Sequence, residues 1–71
     1  MNLYVWHGVL RDYTSGVAFA MAHDVNQARD ALKDKYKQKF GYLSDRFVGD
    51  LDKDPTYVSS GPAADFIHGG G

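Results

Sequence analysis

Two alternating apolar runs, Leu3 to Leu10 and Val17 to Ala22, flank the polar stretch Arg11-Asp12-Tyr13-Thr14-Ser15-Gly16, and a helix start follows at once. This order predicts a β-hairpin feeding a helix. In the first run Leu3, Val5, His7 and Val9 alternate with Tyr4, Trp6, Gly8 and Leu10, and both sets are apolar enough to expect cover on part of each face. In the second, Val17, Phe19 and Met21 oppose a row of alanines, Ala18, Ala20 and Ala22. The alanines leave room for close approach of a helix or of the first strand's aromatic residues.

Asp24-Val25-Asn26-Gln27 has the spacing of a capping box, in which the Asp side chain accepts from first-turn amides and the Gln reaches back. The helix is expected from Val25, with Val25, Ala28, Leu32, Tyr36 and Phe40 as its apolar stripe, Gly41 just beyond the cap, and about four turns. Tyr42 to Asp54, with Phe47, Val48 and Leu51 apolar among Ser, Asp and Gly, fits either one short helical turn or an irregular loop anchored by Phe47, and reads as mostly loop. Thr56-Tyr57-Val58-Ser59 reads as a short strand, Gly61-Pro62 as a turn and Asp65-Phe66-Ile67-His68 as a last strand. The expected class is α+β: an antiparallel three- or four-stranded sheet with one helix on one face, in the order ββα, loop, ββ. Residues 1–68 form one domain in this reading, and residues 69–71 a flexible Gly tail.

At 71 residues the chain suits a single domain that hides only about 60% of its unfolded surface. It contains no cysteine, which excludes a disulfide-stapled scaffold and points to a reducing compartment, with the cytoplasm as the expected location. No apolar run reaches the roughly 20 residues of a membrane span, so no membrane partner is expected. A net charge of -1 speaks against general affinity for nucleic acid. Lys33 and Lys37 fall on one flank of the helix stripe and Lys35 and Lys39 on the other, so the lysines make no single basic face. All acidic residues are Asp, the side chain suited to caps and turns.

Candidate chemistry is thin. With Leu10 placed opposite Val17, His7 faces Ala20 and His23 faces Tyr4, so the imidazoles do not converge on a metal. Asp50-Leu51-Asp52-Lys53-Asp54 imitates the opening of a calcium loop, but Pro55 stands where that loop needs glycine and Gly61 where it needs a bidentate Glu. The serines and histidines show no nucleophile-and-base spacing, and Gly69-Gly70-Gly71 precedes no helix that could hold phosphate. The sequence thus predicts no enzyme, no cofactor and no metal site. Tyr4, Trp6 and Tyr13 with Arg11 could stack on bases, although Trp6 is better suited to a core anchor. Arg11 and Tyr13, an aromatic beside a multidentate donor in a loop, are the candidate partner-binding residues.

Tyr4-Val5-Trp6-His7-Gly8-Val9-Leu10-Arg11-Asp12-Tyr13-Thr14-Ser15-Gly16, the capped helix and the closing Phe66-Ile67-His68-Gly69-Gly70-Gly71 resemble small accessory proteins of tailed phages and prophages. The match is weaker across Tyr42 to Asp54, and that group has no assigned activity to carry over. The resemblance implies an accessory phage protein in a bacterial host cell. The function expected is non-enzymatic binding of a host or phage protein, for instance to inhibit it. A nucleic-acid-binding module using the Lys-rich helix and aromatic stacking is the alternative, and a small metal- or nucleotide-dependent enzyme a third reading.

Overall fold

The computed structural model describes residues 1–10 and 16–61. Strands β1 (Asn2–Val9) and β2 (Gly16–Ala22) form the expected antiparallel pair. Helices α1 (Val25–Phe40) and α2 (Asp45–Asp52) follow, and strand β3 (Tyr57–Ser59) returns antiparallel to β1, giving the sheet order β2-β1-β3. The class is α+β with a three-stranded antiparallel sheet. The expectation is corrected in two ways: the described residues form two helices, not one, and their order is ββααβ. The expected last strand at residues 65–68, the turn at Pro62 and the tail at residues 69–71 lie outside the described residues.

The helix starts and stops where the capping chemistry places it. Asp24 accepts from the Gln27 amide at 2.8 Å, while Gln27 Oε1 accepts from the amide of His23 at 3.1 Å. Gly41 closes α1 at φ 80°, its amide donating to the Lys37 carbonyl at 2.8 Å, a left-handed conformation that glycine adopts without a Cβ penalty. Ala28 is fully buried, and Val25, Leu32 and Tyr36 pack around it. Phe40, the end of the stripe, is about half exposed and lies against the Tyr36 ring at 4.6 Å.

Within Tyr42 to Asp54 the expected loop is a helix. Ser44 is its N-cap, accepting from the Phe47 amide at 3.4 Å, and the Phe47/Leu51 pair, four residues apart, buries one face. Its C-terminal carbonyls, orphaned as at any helix end, receive donors from elsewhere in the chain. Arg29 Nε donates to the Leu51 carbonyl at 2.6 Å, and Trp6 Nε1 and Arg29 Nη2 donate to that of Lys53 at 2.9 and 3.3 Å.

The hairpin register also differs from the expected one. His7 faces Val17, Tyr4 faces Ala20 and Asn2 faces Ala22, with an irregularity between His7 and Val9. Gly8 sits there at φ 72°, and the extra residue switches the parity of the strand. Val9 therefore joins Tyr4 and Trp6 on the buried face instead of following Leu3, Val5 and His7. Leu10, just beyond, adopts φ 52° and its amide donates to Asp50 Oδ2 at 3.0 Å. Gly16 opposite has no room for a side chain, since a Cβ would lie 2.9 Å from the Val9 carbonyl oxygen.

Both helices pack on one side of the sheet, α1 over β2 and α2 over β1. The alanine row of β2 admits α1 closely, and Trp6, Val9, Ala18, Ala22, Ala28, Phe47 and Leu51 fill the core with Tyr4.

Candidate functional site: the open face of the sheet

With both helices on one side, the other side of the sheet has no covering layer among the described residues. The cross-strand rows on this side are Leu3 with Met21 and Ser59, Val5 with Phe19 and Tyr57, and His7 with Val17. Phe19 is 66% exposed, Met21 63% and Val17 41%. Large apolar side chains exposed side by side form a surface suited to association. No Asp, Glu, Lys or Arg occurs in these rows.

His7 closes one end of the face. Its Nδ1 lies 2.6 Å from Thr56 Oγ1, and its amide donates to the same oxygen at 3.1 Å. Thr56 in turn donates from its amide and hydroxyl to the Val5 carbonyl, at 2.8 and 3.1 Å. The imidazole is thus a tie between β1 and the residue leading into β3, and among the described residues no carboxylate orients it as a base.

The two stacking candidates on β1 belong to the core. Tyr4 is 7% exposed and Trp6 1%, so neither presents a ring to a base. Arg11 and Tyr13 lie outside the described residues. Asp50 and Asp52 stand in the last turn of α2 rather than in a loop, and Asp50 is engaged by the Leu10 amide. Among the described residues no cluster of three or more His, Cys, Asp or Glu side chains converges. A solvent-open depression of about 390 Å³ lies beside Lys35, Gln38 and Lys39 and carries two amines and an amide. No helix among the described residues is long and apolar enough to cross a membrane.

At the foot of α1, Tyr36 stacks on Phe47 at 4.8 Å and meets Tyr42 edge-on at 5.8 Å. A hydrogen bond with Tyr36, and then its charge, raise the Tyr42 phenol above its ordinary value of 10.0. This is a structural corner that joins the two helices.

The open face escaped the sequence pattern because both sides of each strand are apolar. The alternation of large residues with alanines on β2 was its signal: the small side receives the helix and the large side is left bare. Against known families, curated proteins and solved structures alike, the chain finds no match.

Proposed function

We propose that this is a small non-enzymatic binding protein that docks an apolar, largely uncharged protein surface on the open side of its sheet. The observation that carries the reading is the exposure of Phe19 and Met21 beside Leu3, Val5 and Tyr57, in rows without a formal charge. Apolar and aromatic side chains in a contiguous patch supply interface anchors. The setting implied by the resemblance is that of a phage or prophage accessory protein in a bacterial cytoplasm, binding a host or phage protein and thereby blocking it.

Nucleic-acid binding is disfavoured because the stacking residues Tyr4 and Trp6 are in the core. The test is capture from bacterial lysate with the wild-type chain, followed by affinity measurement on the captured protein with Leu3→Ser, Tyr57→Ser and Lys33→Ala. Loss of more than about 1 kcal/mol of binding for the first two, with Lys33→Ala unchanged, supports the reading. Unchanged affinity in both face variants overturns it, and a steep salt dependence of binding to random oligonucleotides favours the alternative.

A further inference from the structure

Thr56 Oγ1 is met by three polar groups of β1. The His7 amide lies at 3.1 Å, His7 Nδ1 at 2.6 Å and the Val5 carbonyl oxygen at 3.1 Å. A hydroxyl has one hydrogen to give and two lone pairs to receive with. The His7 amide can only donate and the Val5 carbonyl can only accept, so the hydroxyl hydrogen goes to Val5 and the second lone pair meets Nδ1. Were that hydrogen turned to Nδ1 instead, three contacts would share two hydrogens, and two oxygens would face each other at 3.1 Å with none between them. The count puts a hydrogen on Nδ1.

We infer that His7 is held as the Nδ1–H tautomer, so that its Nε2 lone pair is a fixed hydrogen-bond acceptor at one end of the open face. The hydrogen bond made by one ring nitrogen sets the state of the other. Ring geometry turns Nε2 away from Thr56, the side chain is exposed, and among the described residues Thr56 is the ring's hydrogen-bond partner.

The position suits recognition. His7 pairs with Val17 beside the rows of Leu3 with Met21 and Val5 with Phe19, which carry no formal charge. An acceptor enclosed among such side chains without a donor loses its bond to water and gains nothing in return. The surface that docks here therefore brings an N–H or O–H to Nε2, from a neutral amide or hydroxyl rather than from a carboxylate or a bare carbonyl. This conclusion rests on the open-face reading of function and gives the docked surface its chemistry. Thr56 is a positioning residue, acting through His7.

The test is a long-range ¹H–¹⁵N correlation spectrum of the labelled full chain in mildly alkaline buffer, where an unperturbed imidazole is neutral. His7→Gln identifies the signals by their loss. Nδ1 of His7 should resonate as the protonated nitrogen and Nε2 as the unprotonated one; the reverse pattern overturns the proposal. Thr56→Val should move the ring towards the reverse pattern and Thr56→Ser should not, so an unchanged ring in Thr56→Val also overturns it. For the protein captured from lysate, His7→Gln, which keeps an acceptor, should bind like wild type, and His7→Leu should bind about tenfold more weakly. Equal affinity of His7→Leu and wild type refutes the acceptor role, as does a protonated Nε2 in the complex, the mark of an acidic partner. A shift of the Nε2 signal in the free chain on Arg11→Ala or Tyr13→Phe refutes it as well, by showing that the chain's own loop supplies the donor. The ring pattern is read without any partner, so its failure is separate from failure of the open-face reading, which the Leu3→Ser and Tyr57→Ser affinities decide.

Discussion

The indole Nε1 of Trp6 donates to the carbonyl of Lys53 at 2.9 Å, tying the middle of the first strand to the end of the second helix, 47 residues later. Arg29 donates to the same carbonyl at 3.3 Å and to that of Leu51 at 2.6 Å. Strand β1 and helix α1 thus hold the C-terminus of α2 together. Trp6→Phe keeps most of the ring volume and removes the donor, so it should cost about 1–2 kcal/mol. Arg29→Met should cost a similar amount, and urea midpoints at constant m-value would check both.

Core position decides the next comparison. Leu51 is fully buried, Leu32 is packed at the margin and Lys33 lies on the flank. Leu51→Ala should lose about 2–5 kcal/mol and Leu32→Ala less, while Lys33→Ala should fall within about 0.5 kcal/mol of wild type. Denaturant melts that rank Lys33→Ala beside Leu51→Ala would refute the assignment of faces.

Leu10 occupies the left-handed region at φ 52°, where a side chain clashes with the backbone. Leu10→Gly should therefore stabilise the fold by about 0.5–1 kcal/mol, provided Asp50 keeps its bond to the residue 10 amide. Asp50→Ala should destabilise and should abolish most of the gain when combined with Leu10→Gly. A thermal-melt double-mutant cycle measures that coupling.

The Tyr42 phenol should ionise above its ordinary value of 10.0 in an ultraviolet pH titration, and Tyr36→Phe should return it towards that value. The sign follows from the raised folded-state value: the fold favours the protonated phenol. That contribution is complete at neutral pH and is lost only as pH climbs through the folded-state pKa.

Calcium, zinc or a chelator should leave the melting temperature unchanged, since a ligand bound by the native state alone must raise it by mass action. A calcium-dependent rise that Asp52→Asn removes would establish a site at the end of α2.

The hairpin, α1 with both of its caps, and β3 were legible because each rests on local chemistry: alternation, Asp24, Gly41 and a short β-branched run. Helix α2 was not. Gly49 lowers its helical propensity, and only the spacing of Ser44 from Phe47 and of Phe47 from Leu51 marked it, a signal too short to outweigh the surrounding Asp and Gly. The register was missed because the displacement at Gly8 depends on a single backbone angle. The candidate site is legible in its residues and hidden in its role: the sequence sets Val17, Phe19 and Met21 opposite the alanine row, and only the docking of both helices on the alanine side leaves them bare. Arg11 and Tyr13, the sequence's own choice, lie outside the described residues.

The irregularity at Gly8 has a consequence for how this chain tolerates change in length. Ahead of it, odd-numbered positions of β1 face the bare side; beyond it, Val9 is in the core. Deleting Gly8 would remove the extra residue and leave Val9 inward in a regularly alternating strand, whereas inserting another would send Val9 outwards. Substitutions along β1 are graded in cost, whereas a one-codon insertion near Gly8 exchanges the interior for the exterior in a single step. In homologous chains, therefore, the spacing from Trp6 to Val9 should tolerate shortening by one residue and not lengthening by one.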